Sequence, residues 1–393
     1  MSTDSKTSIT ERPSHHANSS ATLFRNPWEE PEETSFSNWQ LPTAPGWPGL
    51  PFEWAKEFAQ HSHKPVEVVK PTFGSERSDA VKATWLGHAS FLVELPRASP
   101  KETTIRILYD PIFSDRAGPS QWTGPRRRLP PPCKLEDLPE FHFVVTSHNH
   151  YDHLDLPTIQ SIHKLRGSNV HFIVPLGNKT WFKSSGIPSD RITELDWWQD
   201  VTLRIPDSKP SSPSSKVRFI CTPAQHQSGR GVNDRRTTLW ASWVVEQVIH
   251  SPNLPTRKVS VYHAGDTGYM TSTGPCPVFK EIGEKYGPFN ISMLPIWRGG
   301  TLSFIARMGL RLTDHGLTSA VHATPAQALL IHQDLKSQHS LAMHFATFAG
   351  SNVEAFEPIV ELTSEREKLN IGDWAEEGGF GVIDIGETAE VDV

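Results

Sequence analysis

The stretch Phe143-Val144-Val145-Thr146-Ser147-His148-Asn149-His150-Tyr151-Asp152-His153 decides how the rest of the chain is read. Its first four residues are apolar or β-branched, which predicts a short buried strand. The strand runs straight into H-x-H-x-D-H. Alternate side chains of extended backbone point the same way, so His148 and His150 can converge on one ion. Asp152 and His153 follow where the chain turns toward a helix, and can face a second ion a few ångströms away. Imidazole and carboxylate are donors that zinc accepts while a coordination position stays open for water.

Four ligands do not complete two sites, so the search moves outward to other strand ends. Three positions qualify: His226 in Thr222-Pro223-Ala224-Gln225-His226, Asp266 in His263-Ala264-Gly265-Asp266-Thr267-Gly268, and His344 in Ala342-Met343-His344-Phe345. A lone histidine after a strand is usually an ordinary core or surface residue; the cluster at 148–153 is what gives these three weight. The arrangement expected is His148, His150 and His226 on one ion and Asp152, His153 and His344 on the other. Asp266, in a turn flanked by glycines, would bridge them. Asp110, before Pro111, is expected to orient a ligand imidazole through its other nitrogen, an ordinary Asp-Pro turn being the alternative. His88, after Gly87, reads as a structural histidine.

Composition predicts residues 1–24 to be disordered, 25–74 to form an irregular Pro- and Trp-rich arm, and 75–393 to form one catalytic domain. Strands are expected at 81–95 (broken at Gly87-His88), 104–109, 143–146, 170–174, 217–221, 238–245, 259–263, 291–295 and 341–344. Helices are expected at 156–165, 278–285, 325–335 and 355–369. Asp155 should cap the first helix and Gly167 end it. Helices interleave with strands, yet many strands follow one another directly. That pattern gives an α/β fold built as a sandwich of two mixed sheets with helices outside, not a doubly wound sheet.

With 38 basic and 44 acidic residues the chain carries no basic excess, which argues against nucleic acid as a partner. No apolar run is long enough to span a bilayer and the first residues lack the apolar core of a signal peptide. An intracellular protein, cytoplasmic or peripherally bound to membrane, is expected, and a homodimer is compatible with the sequence. Cys133, Cys221 and Cys276 are scattered and predict free thiols. Arg126, Arg127 and Arg128 could touch anionic headgroups, although a solvated loop is the preferred reading.

Taken together, Thr-Ser-His-Asn-His-Tyr-Asp-His-Leu-Asp, Pro-Ala-Gln-His, Ala-Gly-Asp-Thr-Gly-Tyr and Met-His-Phe resemble the metallo-β-lactamase superfamily. Trp85-Leu86-Gly87-His88-Ala89, Asp110-Pro111-Ile112-Phe113-Ser114, Glu194-Leu195-Asp196-Trp197-Trp198 and Glu281-Ile282-Gly283 narrow the likeness to its phospholipase D branch acting on N-acylphosphatidylethanolamine. The resemblance runs from Trp85 to Phe348. It implies a four-layer αβ/βα sandwich, two zinc ions on the seven residues named above, and a phospholipid substrate cleaved to N-acylethanolamine and phosphatidic acid. In that mechanism the ions lower the pKa of a shared water, and the hydroxide attacks phosphorus. Asp152 and Asp266 would be catalytic through the metals. His322 would bind or protonate the phosphate, and Tyr151 would contact substrate. The chain departs from the branch over 296–321 and at Gln227-Ser228-Gly229-Arg230, both near the implied pocket. A lactonase or soluble phosphodiesterase on the same scaffold is the alternative, and a di-iron redox protein a more distant one.

Overall fold

In the computed structural model, residues 13–28, 52–54, 64–97, 103–205, 216–251, 254–297, 310–312 and 319–393 are described. Trp39 and Trp47 of the expected Pro- and Trp-rich arm, the Ser- and Pro-rich stretch 208–215 and most of the divergent 296–321 segment lie outside them.

The strands in chain order are β1 (Phe52–Trp54), β2 (Ala80–Gly87), β3 (Ser90–Glu94), β4 (Arg106–Tyr109), β5 (Phe143–Val145), β6 (His171–Pro175), β7 (Ile192–Leu195), β8 (Asp200–Arg204) and β9 (Lys216–Thr222). They continue with β10 (Ser242–Ser251), β11 (Leu254–His263), β12 (Met270–Thr271), β13 (Gly274–Pro275), β14 (Ile291–Pro295), β15 (Leu310–Leu312), β16 (His339–Met343), β17 (Gly379–Gly381) and β18 (Thr388–Asp392). The helices are α1 (Leu156–Arg166), α2 (Lys179–Ser184), α3 (Val278–Tyr286), α4 (Pro325–Asp334) and α5 (Asn352–Leu369).

Two seven-stranded mixed sheets carry the fold, in the orders β18-β2-β3-β4-β5-β6-β7 and β17-β16-β14-β11-β10-β9-β8. Each is antiparallel in one half and parallel in the other: β4, β5, β6 and β7 run parallel in the first, and β11, β14, β16 and β17 in the second. Sequence explains the layering. In β4, β5 and β6, Ile107, Tyr109, Phe143, Val145 and Ile173 enter the large central core, whereas Leu108, Val144, Phe172 and Val174 enter a second core with Ile159 and Ile162 of α1 and Phe182 of α2. The strict alternation places one set on each face of a sheet covered on both sides. The α/β sandwich of two mixed sheets read from the sequence is the fold observed.

α1 begins and ends where its signals put it: the Asp155 side chain accepts from Thr158 N, and Gly167 closes it at φ +52°. Strands β1, β7, β8, β12, β13, β15, β17 and β18 and helix α2 have no counterpart among the expected elements. β8, an edge strand of alternating exposure, has the polar sequence Asp-Val-Thr-Leu-Arg, and β17 is Gly-Phe-Gly, so neither carries an apolar run. Residues 13–24 are also corrected. Their polar composition predicts disorder, yet Phe24 is buried in the central core and His15 and His16 are buried against Asp196.

Candidate metal centre

The parallel halves of both sheets aim their C-terminal ends at one place, where open α/β sheets usually bind ligands. β5 delivers Ser147 to His153, β11 the Asp266 turn, and β16 His344, while β9 leads into His226. The 147–153 segment is braced before it reaches the site. Ser147 O accepts from Ala241 N (2.9 Å) and Thr146 O from Trp243 Nε1 (3.0 Å), so it is stitched to the second sheet. The backbone then turns, with His153 N and Leu154 N both donating to His150 O. At Gly265 (φ +59°) a Cβ would stand 2.5 Å from Ser147 Cβ. Only glycine lets the Asp266 turn come this close.

The seven predicted ligands meet. His148 Nε2 lies 2.8 Å from His150 Nδ1, and His226 Nε2 lies 3.3 Å from the same Nδ1. Asp266 Oδ2 stands 3.6 Å from His226 Nε2 and 3.8 Å from His148 Nε2. Its other oxygen, Oδ1, faces the second group, 2.9 Å from His344 Nε2 and 3.1 Å from His153 Nε2. Asp152 Oδ2 completes that group, 3.6 Å from His344 Nε2 and 3.8 Å from His153 Nε2. Asp266 therefore spans the two groups, one oxygen to each.

Hydrogen bonds alone do not account for this packing. Ser147 Oγ donates to Asp110 Oδ2 (2.6 Å), so it accepts from His148 Nδ1 (2.9 Å), leaving His148 Nε2 a bare lone pair. His226 Nδ1 donates to Val321 O (2.9 Å), which leaves its Nε2 bare as well. Both point toward His150 Nδ1. In the second group the buried His153 Nε2, His344 Nε2 and Asp266 Oδ1 meet only one another, at 2.9–3.1 Å and without hydrogen-bond geometry. Buried polar atoms without partners are costly. Two ligands at 2.0–2.1 Å from a tetrahedral zinc stand roughly 3.3 Å apart, and the spacings above bracket that value. The two donor sets fit a cation each.

Charge agrees with geometry. Burial holds His148 and His226 well below, and His150 below, the ordinary histidine value, so they stay neutral as ligands must. Asp152 and Asp266 are opposed by burial but dominated by the histidines around them, and stay ionised, well below the usual carboxylate range. Asp110 stands beside the second group: His153 Nδ1 donates to its Oδ2 at 2.8 Å, and Ser147 N to its Oδ1 at 2.7 Å.

The other expectations divide. His322 is in the cluster: its ring stacks on His344 (5.4 Å between centroids), its Nδ1 is 3.9 Å from Asp266 Oδ2, and burial lowers its pKa to about 4. Tyr151 lies at the side, its ring 3.9 Å beneath the Arg230 guanidinium. The solvated-loop reading of 126–128 fails at Arg127, which is only 8% exposed, donates to Ile112 O and lies over Phe348. Arg126 pairs with Asp115 and Arg128 with Asn352. His88, taken as structural, has its Nε2 3.0 Å from Asp152 Oδ2, at a backbone φ of +53°. The Gly87-His88 break between two strands was the signal that could have drawn more attention to it.

A family model described as a Beta-lactamase superfamily domain matches residues 105–345. The chain is 32% identical over 390 residues to an N-acyl-phosphatidylethanolamine-hydrolyzing phospholipase D 1 from Caenorhabditis elegans, covering 94% of this chain and 92% of that one. It is 31% identical over 279 residues to the mitochondrial N-acyl-phosphatidylethanolamine-hydrolyzing phospholipase D of Saccharomyces cerevisiae, covering 70% of this chain and 49% of that one. Among solved structures, a metallo hydrolase from Ignicoccus hospitalis superposes with a TM-score of 0.46 at 19% identity, covering 80% of this chain and 99% of that one. The chain belongs to the metallo-β-lactamase superfamily and resembles its N-acylphosphatidylethanolamine-hydrolysing members.

Proposed function

We propose that this chain is a zinc-dependent phosphodiesterase that cleaves N-acylphosphatidylethanolamine to N-acylethanolamine and phosphatidic acid. The observation that carries the reading is a cavity of about 1160 Å³ whose walls include Phe113 and Ala346, close along the chain to Asp110 and His344, and none of the seven ligands themselves. Leu129, Val353 and Phe356 give it apolar walls, and Arg126, Arg127 and Arg128 line it together with Asp115, which pairs with Arg126 and leaves an excess of positive charge. A small polar pocket would suit a sugar-phosphate or lactone. A space larger than the roughly 300–1,000 Å³ of ordinary small-ligand sites, apolar with cations nearby, suits an anionic lipid with long chains.

Two zinc ions, when bound, supply a water ionised near neutral pH and neutralise charge on a phosphate oxygen. The chain's own groups do the rest. His148, His150 and His226 hold one donor set, Asp152, His153 and His344 the other, and Asp266 fixes their spacing. Asp110 sets the tautomer of His153 so that Nε2 faces inward. His322 has a buried Nδ1 without a hydrogen-bond partner and is suited to hold the substrate phosphate; the anion beside it would raise its low pKa and so let the ring pass a proton to the leaving oxygen. Tyr151, fixed under Arg230, would border the bound lipid. No helix among the described residues is long and apolar enough to cross a membrane.

The test is metal analysis of purified protein coupled to turnover of N-acylphosphatidylethanolamine, a lactone and a simple phosphodiester. Two zinc ions per chain with preference for the phospholipid is the expected result. Preference for the lactone would replace this reading with the lactonase one, and protein that binds no metal would end both.

A further inference from the structure

The segment 13–28 is not part of either sheet, yet it reaches the metal centre from behind. Asn26 Nδ2 donates to the backbone carbonyl of His226 at 3.1 Å. Both residues are buried, at 7% and 1% exposure. Two residues earlier, Phe24 N donates to Arg236 O at 2.9 Å while its ring enters the central core. The segment thus holds both ends of the loop 226–236. The same loop is tied to the histidine cluster on its other side. Gly229 N donates to Asn149 Oδ1, and Arg230 Nη1 donates to the carbonyls of Asn149 and Leu154.

A clasp holds the segment in turn. His15 Nε2 and His16 Nε2 donate to the two oxygens of Asp196 at 2.6 and 2.7 Å, and Trp28 stacks on Trp197 with planes 6° apart. These nitrogen–oxygen spacings are well short of the roughly 3.3 Å between ligands on zinc, and each carboxylate oxygen is satisfied. Hydrogen bonding accounts for the clasp without a metal.

We infer that residues 13–28 form a strap whose Asn26 is a positioning residue for His226, and that the affinity of the His148–His150–His226 group for its ion depends on it. The inference rests on the two-zinc reading above. His226 is the one member of its group that lies outside the 148–153 segment. Its imidazole is oriented through Val321 O, but the height of its backbone is set by Asn26 and the loop it closes. Partners that orient the ligand imidazole directly typically account for 10–100-fold in metal affinity, and Asn26, which acts through the backbone of His226, belongs at the lower end.

The experiment is competitive zinc titration against a chromophoric chelator, with thermal melting in parallel, on the full chain and on Asn26→Ala. The wild type should bind two ions. The variant should melt cooperatively and bind one ion as before and the other about tenfold more weakly or worse. His15→Ala/His16→Ala, which removes both donors to Asp196 and leaves Asn26 in place, should weaken the same ion in the same direction and serves if Asn26→Ala does not fold. Folded variants that bind both ions with wild-type affinity would overturn the strap inference and leave the metal centre intact. A wild type that binds no zinc would overturn both.

Discussion

The two halves of the metal centre are built from different materials. One half is three imidazoles, His148, His150 and His226, with a single carboxylate oxygen, Asp266 Oδ2, at 3.6–3.8 Å. The other has two imidazoles, His153 and His344, with Asp266 Oδ1 at 2.9–3.1 Å and Asp152 Oδ2 behind it. The environment follows the composition. Burial keeps the three imidazoles of the first half low. In the second, burial lowers His153 and His344 too, but Asp266 and Asp152 outweigh it and raise both. More negative charge at closer range favours a divalent cation, which takes the place of the protons that the same carboxylates hold on His153 and His344. The carboxylate-rich half should be the tighter site and the imidazole half the looser one.

The sharpest way to break that comparison is to remove the residue both halves share. Asp266→Asn should drop turnover to background and reduce bound zinc below one ion per chain, measured by elemental analysis. A variant that kept two ions would show that the bridge is not needed. Asp152→Asn comes next. It takes a charge from the tighter half alone, so one ion should be lost, turnover should cease, and the remaining ion should sit on the imidazole half. In the wild type, stepwise chelation should strip the imidazole half first; in Asp152→Asn that order should no longer exist.

Asp110→Asn should have a smaller effect, because Asp110 touches no ion. It accepts from His153 Nδ1 and from Ser147. The amide keeps the shape but loses the charge that fixes the imidazole, and a loss of about 10–100-fold in kcat/KM is expected. His88→Gln should fall in the same range, through its contact with Asp152. Equal activity in either variant would reduce that residue to packing.

How much of this was legible in the sequence follows from the range of the interactions. H-x-H-x-D-H could be read because its logic is local: alternation in extended chain, then a turn. His226, Asp266 and His344 were legible as strand-end residues once the cluster demanded partners. Asp110 was found for the same reason. Residues 13–28 could not be read. The bonds from His15, His16 and Asn26 reach across 180 residues or more, and nothing in a polar, Ser-rich segment signals where such bonds land. Arg127 was misjudged because its neighbours are polar and prolyl, while its guanidinium lies over Phe348, far along the chain.

Histidines remote from the metals sharpen the contrast with a smaller, metal-independent effect. His332, on α4, is buried, with Nδ1 2.8 Å from Ser340 Oγ and Nε2 3.1 Å from Gly378 O. Burial lowers its pKa to about 4. Its ordinary value in the unfolded chain is about 6.5. Above that value both states are neutral and His332 does not make stability depend on pH. As pH falls from 6.5 toward 4, the unfolded chain takes up a proton that the folded chain refuses, so stability drops over that window. At one proton and about 1.4 kcal/mol per pH unit, the limit is roughly 3 kcal/mol. His332→Gln preserves one donor and one acceptor and cannot titrate. Its melting temperature should therefore lie below that of the wild type at pH 7 by a few degrees, and the gap should narrow toward pH 4.5. Adding a chelator should leave that narrowing unchanged, since His332 meets no metal. A gap that stays constant with pH would mean that His332 is protonated in the folded chain too.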